Sequence, residues 1–132
     1  MSEHHPISDS AEWIAYARGD LAAAEALAES PDVAPVFACF HCQQSVEKAL
    51  KAVLISRDQE FPYTHNLRVL ANMLPDDFPD EHLPDLEQLT VYAVHARYPS
   101  DFGVPTIEDA IAAIRDSRYI LETIEQYLGS GS

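Results

Sequence analysis

Phe40-His41-Cys42-Gln43-Gln44-Ser45-Val46-Glu47-Lys48-Ala49-Leu50-Lys51 is the stretch on which the architecture turns. Apolar residues recur through it at the three- and four-residue spacing of a helix, and the pattern continues outward to predict a helix over about 34–57. That helix places Phe37, Phe40, Gln43 or Gln44, Val46, Glu47, Leu50, Val53 and Leu54 on one side. A purely structural seam would not favour Gln44 and Glu47 at its middle, because an unsatisfied buried polar group costs about 1 to 3 kcal/mol. Both are therefore expected to meet partners from another helix. Cys39 and Cys42 share the segment, where reduced thiols act as small buried hydrophobes, so no disulfide is expected.

The flanking sequence predicts four more helices. Ser8 to Glu29 repeats Trp13, Ile14, Ala17, Leu21, Ala24, Leu27 and Ala28 at helical spacing, with Asp9 as cap and Glu12 as first-turn acid, and stops at Ser30-Pro31. Thr64 is placed to cap a short helix carrying Leu67, Val69, Leu70, Met73 and Leu74, ended by Pro75. A fourth helix is read from Leu83 to Tyr98, with Leu86, Leu89, Val91, Ala93 and Val94 as packing residues and Pro99 as terminator. The fifth starts at Thr106, paired with Asp109 as a capping box, and its stripe of Ile107, Ala110, Ile111, Ile114, Leu121, Ile124 and Leu128 is read as a core face. No segment alternates with period two between hairpin turns, which points to an all-α, up-and-down bundle of about five helices. Residues 1–128 read as one domain and Gly129-Ser130-Gly131-Ser132 as a flexible tail.

Charge narrows the function. Against 22 Asp+Glu there are 8 Lys+Arg, a net charge of −14 that repels phosphate backbones and argues against non-specific nucleic-acid binding, so any anion site must be local. No apolar run approaches the roughly 20 residues that span a membrane. The first residues lack a basic segment followed by an apolar one, and a cytoplasmic location is the expectation. Cys39-x-x-Cys42 with His41 between resembles half of a zinc site, but no second Cys or His pair has fitting spacing, so neither metal nor cofactor is expected.

Together with Phe61-Pro62-Tyr63-Thr64-His65-Asn66-Leu67 and Ala96-Arg97-Tyr98-Pro99, the opening stretch resembles the HEPN family of small helical domains from about Ala11 to Leu128. The resemblance implies a helical bundle that dimerises, here through helix 2 and helix 4 surfaces. Ribonuclease members of the family carry an Arg-x(4 to 6)-His motif. If Arg97 is that arginine, the histidine falls at 102, 103 or 104, which are Phe102, Gly103 and Val104. Neither Phe nor Val can move a proton from a 2′-hydroxyl, and His95 lies on the wrong side of Arg97.

Two readings stay open for each remaining candidate. Arg97 either serves as the family's arginine or offsets the dipole at a helix C-terminus. Lys48 and Lys51, helical neighbours, either build with Arg97 and Tyr98 a local phosphate pocket or form a salt-bridge lattice with Glu47 and the acidic loops. His65 either hydrogen-bonds a phosphate or caps helix 3. The ligand-binding candidates are therefore Lys48, Lys51, His65, Arg97 and Tyr98. Similar HEPN proteins pair with a minimal nucleotidyltransferase in toxin–antitoxin-like systems, which implies a non-catalytic module that binds a nucleotide, that partner, or both. The alternatives are a degenerate ribonuclease in which Arg97 acts with His95 or His65, and a structural dimeric scaffold.

Overall fold

The computed structural model describes residues 9–95 and 103–131, and these form five α-helices with no strand among them. They are α1 (Ser10–Ala28), α2 (Pro35–Ser56), α3 (Leu67–Ala71), α4 (Leu86–His95) and α5 (Ile107–Gly131). The all-α bundle expected from the sequence is the fold observed. Arg97, Tyr98 and Pro99 lie outside the described residues, as do the side chains of Val94 and His95.

α2 is the axis of the bundle, and every other helix packs against it. Thirteen of its 22 residues are buried, including six in succession from Ala49 to Leu54, which is more than one full turn and so covers the whole circumference. Polar side chains pin its neighbours: Ser45 Oγ donates to the Ala17 carbonyl on α1 at 2.8 Å, and Ser117 Oγ on α5 donates to the Cys42 carbonyl at 3.3 Å. α1 runs antiparallel to α5, with Arg18 bonded to Glu125 and Arg118 to Glu25. The core contains Leu50, Leu54, Leu67, Leu70, Leu86, Ile120 and Ile124, all wholly buried.

Several local expectations are corrected. Phe37 is exposed and Phe40 half-buried, whereas the small Ala38, Cys39, Cys42 and Ala49 lie inside, because α2 is gripped closely by several helices and has no room for aromatic bulk there. α3 is capped by Asn66, whose Oδ1 accepts from the amides of Arg68 and Val69, while Thr64 Oγ1 accepts from Asn66 itself. α4 begins at Leu86, because Asp85 Oδ1 accepts from the amides of Glu87 and Gln88 and fixes the start there. Val91 on α4 is exposed. The Thr106–Asp109 capping box forms in both directions, at 2.9 and 3.1 Å. Ile107 and Ile111 nevertheless face outward, since α5 turns Ala110, Ala113, Ser117, Ile120 and Ile124 to the core. α5 also continues to Gly131, three residues into the stretch whose composition suggests a linker; the last turn simply extends the hydrogen-bond ladder.

Burial pushes both Cys39 and Cys42 thiols up to about 12. Both are free, as expected. A thiol reagent should therefore label them only as fast as the protein opens, and rapid stoichiometric labelling of native protein would contradict this placement. Leu50→Ala should cost about 2 to 5 kcal/mol, read as a lower urea midpoint with unchanged slope; a loss under about 1 kcal/mol would show that α2 is not the core axis.

Candidate functional site

The polar side of α2 forms two acid-centred clusters. In the first, Glu47 is buried and accepts three hydrogen bonds. Gln43 Nε2 donates to Oε1 at 3.0 Å, His65 Nδ1 lies 2.9 Å from the same oxygen, and Lys51 Nζ donates to Oε2 at 2.8 Å. Gln43 Nε2 also donates to the His65 carbonyl at 2.9 Å, and Gln44 Nε2 donates to Gln43 Oε1 at 2.7 Å. The Lys51 ammonium lies 5.9 Å from the Trp13 ring centroid and 5.5 Å from that of Phe61, so its remaining surroundings are aromatic. Glu47 thus meets Gln43 and Lys51 on its own helix and His65 from the turn before α3, and among the described residues no helix other than α2 supplies its partners.

The turn that delivers His65 is set by the end of α2. Asp58 adopts φ 55°, its amide donates to the Ile55 carbonyl and that of Gln59 to Leu54, which is the left-handed reversal that usually carries glycine. The chain then doubles back along α2. With Nδ1 directed at Glu47, the His65 ring leaves Nε2 for an outside group, and its side chain is 33% exposed. Tyr63, edge-on to that ring at 5.7 Å, is 92% exposed.

The second cluster centres on Asp20 of α1. Its Oδ1 lies 3.0 Å from His41 Nδ1 and its Oδ2 accepts from Lys48 Nζ at 2.6 Å. Lys48 Nζ also stands 5.9 Å from the Tyr16 ring centroid.

Lys51 and His65 are thus brought together, by a shared carboxylate, while Lys48 is held at another one. Lys51 is only 7% exposed and so is not the surface neighbour of Lys48 that helical spacing suggests. His65 does not cap α3. Arg97 and Tyr98 lie outside the described residues. The remaining described cations follow the same rule: Arg18 bonds Glu125, Arg57 bonds Asp77, Arg68 bonds Glu87, Arg115 bonds Asp116 and Arg118 bonds Glu25. Each of the seven described Lys and Arg residues therefore faces a carboxylate. Sequence reasoning missed Asp20, Trp13 and Phe61 as members of these clusters. Gln43 and Lys51 were legible as helical neighbours of Glu47, but Asp20 is 28 residues from Lys48 and leaves no local signal. Among the described residues no group of three or more His, Cys, Asp or Glu could hold a metal ion.

Burial alone would push the Glu47 carboxyl up, but the bonds from Lys51, His65 and Gln43 outweigh it and hold the group below its ordinary 4.5. A depressed carboxylate contributes stability that is full above its unfolded value and is lost as pH falls through the folded one. Glu47→Gln should cost about 3 to 5 kcal/mol at neutral pH by leaving Lys51 buried without its counter-charge, and Glu47→Leu with Lys51→Met should regain most of that loss. The gap between wild type and Glu47→Gln should shrink in urea unfolding as pH falls through 4.5 and below it. A constant gap would contradict an ionised Glu47.

The model of the HEPN domain matches residues 10–127. Comparison with curated proteins gives no match. Among solved structures, the fold is similar to that of TT1696 from Thermus thermophilus, at 25% identity and TM-score 0.73, covering 91% of this chain and 98% of that one. The family match takes in both acid-centred clusters and the turn that carries His65, and on it this chain belongs to the HEPN domain family.

Proposed function

We propose that this chain is a non-catalytic HEPN module that works as a homodimer and binds a protein partner with a basic surface, of the minimal nucleotidyltransferase kind found beside similar HEPN proteins in toxin–antitoxin-like systems. The observation that carries the reading is the pairing of every described cation with a carboxylate in a chain of net charge −14. Lys48 and Lys51, the two lysines most suited to a phosphate pocket, are both committed internally. The remaining surface charge is acidic and complements a basic protein far better than a phosphate chain. The absence of a histidine at 102–104 supports the non-catalytic part.

A nucleotide-binding reading has one observation in its favour: His65, oriented from behind by buried Glu47, presents Nε2 beside the exposed Tyr63 ring, a surface on which a base could stack.

Co-expression with a minimal nucleotidyltransferase should give a stable complex on size exclusion that weakens steeply with salt, and failure to co-purify would contradict the proposal. Calorimetric titration of the protein alone with ATP and GTP should be flat. Saturable heat abolished by His65→Ala or Arg97→Ala would make the nucleotide the ligand. RNA cleavage that persists in EDTA and disappears in Arg97→Ala would overturn the non-catalytic reading.

A further inference from the structure

α4 packs on α2 and α3, whereas α5 packs on α2 and α1, and the two helices leave a groove between them. α4 runs antiparallel to α5 across this groove, with Tyr92 beside Asp109 at one end and Pro84 beside Asp116 and Tyr119 at the other. The cavity holds about 260 Å³. Leu89 of α4 and the small Ala112 and Ala113 of α5 supply its apolar ground, and on the α4 side Gln88 Nε2 donates to the Tyr92 hydroxyl at 3.0 Å. Its rim is acidic, with Asp85 at the start of α4 and Asp109 and Asp116 on α5.

We propose that this groove is the docking site for an arginine-bearing segment of a protein partner, an inference that deepens the reading above and rests on it. Three features select that occupant. First, the rim acids are fixed acceptors with capacity left over. Asp85 Oδ1 and Asp109 Oδ2 each cap a helix and Asp116 Oδ1 accepts from the exposed Arg115 at 3.4 Å, while the second oxygen of each acid is uncommitted among the described residues. Burial and then the Asp109 charge push the Cys39 thiol up, and the Tyr92 hydroxyl, raised chiefly by burial, also feels that charge, which places Asp109 close to the inner end of the groove. Second, the acids do not converge. No group of three among the described residues could hold a metal ion, so a compact cation is poorly matched. A guanidinium with five donors on an aliphatic stem suits acids spread along a rim beside apolar ground. Third, the occupant must bring a cation of its own, and in a second copy each of the seven described Lys and Arg residues already faces a carboxylate.

The test uses isotope-labelled full-length protein and two blocked alanine-based helical peptides that differ only in one central residue, arginine or its neutral isostere citrulline. The arginine peptide should give saturable amide shifts centred on Leu89, Ala112, Ala113 and Asp116, and the citrulline peptide none. Asp116→Lys should weaken arginine-peptide binding about tenfold or more, and Ala112→Gln, which fills the apolar ground without changing charge, should weaken it too. Shifts scattered over the acidic surface, shifts centred elsewhere, equal binding of citrulline, or indifference to both variants would each overturn the site. Groove amides that shift on dilution without peptide would make a second copy the occupant and also overturn it. With the nucleotidyltransferase, a complex that forms equally well with Asp116→Lys overturns the groove and leaves the partner reading standing. Absence of any complex removes the partner reading, and the peptide map then decides the groove alone.

Discussion

Where a helix is buried it cannot send its polar residues to water, so the polar groups α2 carries into the interior must be satisfied where they stand. Glu47 is the severest case, a carboxylate in the interior of a bundle. Three donors meet it, and each one fixes another part of the molecule. Gln43 and Lys51 commit one face of α2, and His65 draws the turn after the left-handed Asp58 back along the helix. Lys51 in turn fills the space between Trp13 and Phe61, which ties α1 and the turn to the same point. The position of α3 follows, because Asn66 caps it one residue after His65 and the Leu67 amide donates to Thr90 of α4.

This arrangement determines what the surface is left to do. Cations that already face carboxylates recruit phosphate poorly, and in this chain the carboxylates outnumber the cations 22 to 8. The unmatched acids are then the outward chemistry of the molecule. Where they border apolar ground, as between α4 and α5, they can hold a cationic side chain of another protein. Elsewhere they are solvated charge.

Sequence periodicity carried the helices, since Leu50, Val53 and Leu54 at helical spacing and the Thr106–Asp109 pair are local signals. It misjudged faces where packing is set by more than one neighbour. Phe37 and Ile111 look like core residues and are exposed, while Ala38 and Ala49 are inside. Volume against several helices, not hydrophobicity, decided those positions. The tension at Glu47 was legible as a polar residue in an apolar seam, yet its solution was not, because His65 is 18 residues away and reaches it only through a backbone reversal. Lys48 was legible as one of two basic neighbours, but its Asp20 partner belongs to another helix. Local pattern reports which groups are in tension; tertiary structure reports how the tension is relieved.

The claim on which the account stands is that Glu47 is an ionised carboxylate inside the bundle, held so by its three donors. The direct measurement is the side-chain carboxyl carbon resonance of Glu47 followed by NMR through an acid titration, assigned with Glu47→Gln. A midpoint below 4.5 is the expected result. A midpoint above that value would mean that burial wins, that the interior holds a neutral acid, and that Lys51 is free to serve another anion.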